Sequence, residues 1–400
     1  MSSHAATLAD LVRRPSVNPM GRDVSGPEFL EARVGEYLVQ RFSAAGLPWA
    51  RQPVAPGRDN VIARLEATHA GAPVILWDAH QDTVPADGMT IEPFTPLVRD
   101  GRLYGRGACD VKGGMAAMLV ALERLLAGDG PREATVIFAA TVNEEFGFSG
   151  AKALTRLWTA ATEPSDAAAR GLIDAAPAAA IVAEPTGLDL VVQHKGAVRW
   201  RVRIRGRSCH SAFPERGENA IYHAGRAILA LETLAAELLA RHADHPCGPP
   251  TLNLGTVRGG SGVNLVPELV LLEIDRRLLP GESPQAARDE VIGRIAAACS
   301  GARVEHEPPF LESAGLPDES RSTAAAPWID RLEAAASGQG YAGRRVAARY
   351  GTNASIYSAA GVPAVVFGPG SIEQAHTADE WIDLAQVDAV AETLRRVVAG

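Results

Sequence analysis

Cysteine is scarce in this chain, and its four copies do not pair by spacing. Cys109, Cys209, Cys247 and Cys299 lie far apart and form no CxxC. That excludes a disulfide framework or a cysteine zinc knuckle and leaves reduced thiols. Long apolar runs are also missing. No stretch reaches the ~20 residues that span a bilayer, and the N-terminus, MSSHAATLADLVRRPSV, lacks the charged-then-apolar pattern of a signal peptide. The expectation is a cytoplasmic protein with no membrane partner. Positive charge is in deficit: 39 basic residues face 47 acidic ones, for a formal net charge of −8. With no basic stripe, nucleic acid is not an expected partner. Lysine occurs only at 112, 152 and 195, a composition bias that carries no functional meaning. There is no short-period repeat. The glycines of GRLYGRG lack the strand–glycine–helix order of a dinucleotide site.

What is present is ample core. The 400 residues are 46% hydrophobic and 22% charged, which suits one large or two globular domains. Val74–Trp77, Val136–Ala140 and Ala180–Ala183 are short continuous apolar runs, as in parallel strands covered on both faces. Helical patterns such as 113–127 lie between them. This predicts an α/β fold with a mostly parallel central sheet flanked by helices. The middle of the chain differs. Arg199–Arg205 (RWRVRIR) alternates as a half-exposed strand. A helix over 219–239, strands over 250–257 and 268–277, a helix over 284–298 and a strand over 302–306 follow. That β-α-β-β-α-β order is the ferredoxin-like unit. The expected organisation is therefore a discontinuous large domain, 1–196 and 310–400, interrupted by an inserted domain over 197–309.

Acids and histidines gather at particular places. His80 and Asp82 follow the strand VILWDA. Glu144 and Glu145 follow TVIFAATV, Glu184 follows AAAIVA, and His376 follows VPAVVF. Asp110 sits in the loop GRGACDVKGG before a helix. In an open parallel sheet the carboxyl ends of the strands share one edge, where ligands bind. Imidazoles with carboxylates and no thiolate suit zinc, and also cobalt or manganese. One catalytic zinc usually takes three protein ligands; this set is larger and suits two ions. Asp110 is central in the list and is the candidate shared carboxylate. Period two places His80 and Asp82 on one side of an extended segment, so Asp82 can orient the imidazole.

The stretches WDAHQDTVP, YGRGACDVKGG, TVNEEFG, VAEPTG, RSCHSAFPERGENAI, GGSGVNLVPE, DRRLLPGE and GPGSIEQAHTADEW resemble, in order, the M20 metallopeptidase and deacylase family. The resemblance runs from about residue 8 to 395. HKG at 194–196, PTLNLG at 250–255 and the GPGS…AH loop are most similar to its acetylornithine deacetylase branch. The resemblance implies a dinuclear zinc amide hydrolase acting on N-acetyl or N-succinyl amino acids. It implies that His80, Asp110 and Glu184 hold one metal and Asp110, Glu145 and His376 the other. Glu144 would be the general base towards a water held by the metals, and Asp82 would support His80. His210 would reach a partner subunit's site, which implies a homodimer and makes the inserted domain a dimerisation or lid domain. Asn264 and Arg277, with Thr352 and Asn353, would face substrate. A cis peptide would follow Asp110.

Three alternatives stand beside this reading. Cys209 and His210 are adjacent on a strand and point to opposite faces, which makes a poor nucleophile–base pair. A dipeptidase or carboxypeptidase would use the same chemistry with another pocket. A ligand-binding module that has lost catalysis would share the fold; the intact acid and histidine set opposes it. Asn353, in YGTNAS, stands where several family members carry Asp or Glu. Its neutrality removes a partner for a cationic side chain, so ornithine and neutral amino acids both remain open.

Overall fold

The computed structural model describes residues 2–160 and 163–399. The chain divides into two compact units. One comprises 1–192, 318–346 and 352–400; the other comprises 193–317 and 347–351.

The larger unit is built on an eight-stranded sheet. Its order is Trp49–Ala55, Arg58–Leu65, Thr135–Thr141, Val74–His80, Ala179–Val182, Ala364–Val366, Leu190–His194 and Arg345–Ala348. The four central strands are parallel, from Thr135–Thr141 to Ala364–Val366. These are the continuous apolar runs, and both faces are covered, so Thr135–Thr141 is buried throughout. The margins are antiparallel: Trp49–Ala55 and Arg58–Leu65 form a hairpin that joins Thr135–Thr141. The apolar runs alone do not predict this hairpin. Its signal is Pro56-Gly57 between two strands, with Gly57 at φ +74°, where a side chain would be strained. Helix Gly113–Ala127 is buried on most of its surface and packs with Leu384–Ala399 and Ser3–Val12.

The smaller unit has the expected order of elements. Its sheet runs Thr251–Gly259, Leu269–Leu278, Gly196–Arg205, Arg303–His306, with helices Ala220–Ala240 and Pro284–Ala298 contributing to one core. Both helices start on capping side chains: Asn219 accepts from Ile221 N–H, and Ser283 from Ala286 N–H. The alternation of RWRVRIR resolves by face. Val198, Trp200, Val202 and Ile204 are buried. Arg199, Arg201, Arg203 and Arg205 face outward and pair with Asp275, Glu273, Glu307 and Glu305. These pairs are half-buried and still reach solvent, so each contributes little, about 0–1 kcal/mol. The unit reaches beyond the expected 197–309 because Leu311–Ser313 also pairs with Gly196–Arg205. All four cysteines are free.

Candidate metal centre

The sheet edge gathers the acids and histidines of the larger unit. His80 is the last residue of its strand, and its Nε2 lies 3.0 Å from Asp110 Oδ1. His376 Nε2 lies 3.2 Å from Asp110 Oδ2 and 3.4 Å from Glu145 Oε1. Asp110 is thus held between two imidazoles, one on each oxygen. Ligand atoms of His80, Glu144 and Glu184 lie within 4.8 Å of one another, and so do those of His80, Asp110 and Glu145. Both groups differ from the expected sets: the first has Glu144, read from sequence as the base, in place of Asp110, and the second has His80 in place of His376. Asp110–Val111 is a cis peptide.

The electrostatics point one way. Burial raises Glu144 and Glu184 well above the carboxylate range, and neighbouring acids add to it. Glu145 is raised by burial and by the Asp110 charge. Burial opposes charge on the imidazoles too, but hydrogen bonds to Asp110 prevail. They hold His80 well above its usual value and push His376 up to about 11. Asp110 itself is held low: burial opposes its charge, and hydrogen bonds from His376 and His80 outweigh it. Four carboxylates clustered off water need positive charge beside them. Glu145 Oε1 is buried, and the His376 imidazole 3.4 Å away meets it only outside good hydrogen-bond geometry. A buried, poorly satisfied oxygen in a cluster of imidazoles and carboxylates fits divalent cations of the zinc, cobalt or manganese class.

Asp82 behaves differently from the sequence expectation. His80 Nδ1 bonds the backbone carbonyl of Asp82 at 2.9 Å, while the Asp82 carboxylate is 3.8 Å from that nitrogen. The strand ends at His80, so period two does not carry on to Asp82. Its carboxylate instead accepts the backbone N–H groups of Glu144 at 3.1 Å and Glu145 at 3.2 Å. Asn18 Nδ2 donates to Asp82 Oδ2 at 2.7 Å and to Asn143 Oδ1 at 2.9 Å. Asn143 has φ +61° and receives Arg58, which pairs with buried Glu31. Burial, with the Asp82 charge, pushes Glu31 up to about 7. Sequence reasoning did not find Asn18, Glu31, Arg58 or Asn143. They act through the turn that carries the two glutamates, and no spacing signals it.

Asn353 is buried, and its amide nitrogen donates to Asp78 Oδ2 at 2.9 Å and Thr141 Oγ1 at 3.1 Å. The group expected to face substrate is therefore tied to two central strands. Burial pushes Asp78 up to about 6. Thr352 is buried as well, and its hydroxyl accepts Ala354 N–H at 3.1 Å. His210, Asn264 and Arg277 belong to the smaller unit. His210 and Asn264 are neighbours there: Ser211 N–H donates to Asn264 O at 3.0 Å. On the strand, Arg276 is buried and pairs with Glu282, while Arg277 is partly exposed and pairs with Asp275.

Residues 76–400 match the model of peptidase family M20/M25/M40. The chain is 32% identical over 375 residues to an acetylornithine deacetylase of Myxococcus xanthus, covering 91% of this chain and 90% of the relative. It is 34% identical over 392 residues to an acetylornithine deacetylase of Edwardsiella ictaluri, covering 96% and 93%. Among solved structures, a tripeptidase from Staphylococcus aureus superposes with a TM-score of 0.76 at 23% identity, covering 99% of this chain and 97% of that one. A dinuclear metal-binding peptidase of the M20 family from Bacillus subtilis superposes at 0.66 with 18% identity, covering 99% and 96%. The two superpositions speak for the fold.

Proposed function

Because the chain belongs to peptidase family M20/M25/M40 and is thereby a metal-dependent hydrolase of amide bonds, we propose that it deacylates N-acetyl or N-succinyl amino acids with two divalent ions, zinc first among them. The observation that carries this is Asp110, with one imidazole on each carboxylate oxygen and buried glutamates around it. His80, Asp110 and Glu184 would hold one ion. Asp110, Glu145 and His376 would hold the other.

When bound, such ions supply Lewis acidity, lowering the pKa of water towards ~7 and polarising a carbonyl. The rest falls to the chain. Glu144 accepts the proton of the attacking water at its carboxylate and returns it to the leaving amine. Asp82 fixes the backbone that aims Glu144 and Glu145 in different directions. His210, contributed by a second copy in a homodimer, donates to the developing oxyanion; one such donor is worth about 2.7–4 kcal/mol in other hydrolases. Asn264 and Arg277 bind the substrate's carbonyl or carboxylate. The products are a carboxylic acid and an amino acid. No helix among the described residues is long and apolar enough to cross a membrane.

The test is a screen of N-acetyl amino acids, N-succinyl amino acids and dipeptides with zinc, cobalt or manganese. Metal-dependent release of acetate or succinate is expected. Turnover of dipeptides alone would move the assignment to the peptidases. No turnover of any of them by protein carrying two metal equivalents would favour the non-catalytic module.

A further inference from the structure

The loop that presents Asp110 is irregular. Asp110 and Val111 have φ/ψ of −118°/94° and −130°/19°, outside helical values, although helix Gly113–Ala127 begins just after them. Gly107 sits at φ +78°, and a Cβ there would come within 2.6 Å of Thr83 Cγ2. Residues 107–111 are buried, so their N–H groups need acceptors that no helix or strand supplies.

One side chain meets most of that need. Glu380 is buried at 1% exposure. Its Oε1 accepts the N–H of Cys109 at 2.8 Å and of Asp110 at 3.0 Å. Its Oε2 accepts the N–H of Gly107 at 2.8 Å and Arg106 Nη1 at 2.7 Å. A carboxylate offers about four lone-pair sites, and all are used. The Glu380 carbonyl also accepts Gly105 N–H at 3.0 Å. Next along the chain, Trp381–Asp383 pairs antiparallel with Arg102–Tyr104. A single segment, 376–383, thus contributes His376 to one oxygen of Asp110 and clasps the loop that carries Asp110 from behind.

We propose that Glu380 is the positioning residue for Asp110. Its carboxylate sets the height and tilt of the Asp110 backbone and so the separation of the two Asp110 oxygens from His80 and His376. A partner further along the same segment could have stabilised the loop without fixing Asp110. The distinguishing feature is that one of the four donors is the Asp110 N–H itself and another is its neighbour Cys109. With its acceptor sites taken by these four donors, the carboxylate acts through Asp110 rather than as a ligand itself. The inference rests on the metal-site reading above.

The test measures zinc affinity of the full chain by chelator competition. Visible absorption of the cobalt(II) form is a second readout, and thermal melting controls for the fold. Glu380→Gln keeps the shape but sets an NH2 against backbone N–H donors. It is expected to weaken zinc binding about 10–100-fold, as loss of a partner behind a metal ligand does, and to change the cobalt absorption. Glu380→Asp keeps both oxygens and withdraws them by one methylene; a smaller loss in the same direction is expected, and this variant carries the test should the glutamine form fail to fold. Folded variants with wild-type zinc affinity and an unchanged cobalt spectrum would overturn the inference, even if their melting temperature fell. Wild type that binds two zinc ions while the variants match it rejects Glu380 alone; wild type that binds none rejects the metal reading and this inference with it.

Discussion

The Oδ1 atom of Asp82 accepts the backbone N–H of Glu144 at 3.1 Å. The other carboxylate oxygen accepts from Glu145 and from Asn18. One acid therefore fixes the turn from which two neighbouring acids diverge. Asp82→Asn replaces one acceptor with a donor facing an N–H group. We expect turnover to fall roughly 10–100-fold, in line with other residues that orient ligands, with both metal equivalents retained. Steady-state kinetics beside metal analysis checks this. Wild-type kcat in the asparagine variant would remove Asp82 from the mechanism.

Glu144 and Glu145 are expected to fail differently. Glu144→Gln should keep its metals and lose about 10²–10⁴ in rate, the usual worth of a general base. Glu145→Gln should release one of its two metal equivalents at lower chelator concentration than wild type. Because Glu144 lies in ligand range of His80 and Glu184, the metal content of Glu144→Gln is decisive. A loss of one equivalent there would make Glu144 a ligand and leave the base unassigned.

The proposal that His210 acts across a dimer predicts complementation. His210→Ala and Glu144→Gln should each be nearly inactive alone. Mixed and allowed to exchange subunits, they should recover about a quarter of the wild-type rate, since random pairing of an isologous dimer makes one sound site in half the molecules. No recovery, despite demonstrated exchange, would place His210 in its own subunit's chemistry or outside the chemistry altogether.

A pH dependence of stability follows from His306. Trp200 Nε1–H donates to His306 Nδ1 at 3.2 Å, which requires that nitrogen unprotonated. Burial, with Arg288 nearby, pushes His306 down to about 4 from 6.5. Between those values the unfolded chain binds the extra proton. The contribution is therefore fully present above about pH 6.5 and is lost as pH falls towards 4. Fully buried His194, also pushed down to about 4 by burial, acts in the same sense. His306→Gln still accepts from Trp200 but does not titrate, so its melting temperature should fall less steeply over this window. Parallel curves for wild type and variant would refute the assignment.

Much of the architecture is legible because it rests on local patterns. The apolar runs at 74–77, 136–140 and 180–183 mark strands that must be covered on both faces, and the acids that follow them mark a common edge. RWRVRIR states its own two faces. The Trp49–Leu65 hairpin was less legible, because its partner strand, Thr135–Thr141, lies far along the chain and its cue was a single Pro-Gly turn. Asp82 meets the His80 imidazole through its backbone carbonyl rather than its carboxylate for a physical reason: two-residue periodicity holds only while the strand lasts, and the strand stops at His80.

Sequence alone determined the α/β fold class, the inserted ferredoxin-like unit and the set of histidines and carboxylates, since burial periodicity and residue chemistry are written in side chains. Tertiary structure decided what holds that set in place. Asn18, Arg58 and Glu31 support the Glu144–Glu145 turn, Asn353 ties Asp78 to Thr141, and Glu380 collects the amides around Asp110. Most of those supports meet at backbone N–H groups or at residues tens to hundreds of positions away. A backbone amide is the same in every residue but proline, so its need for an acceptor appears only once the chain has folded and shut it away from water.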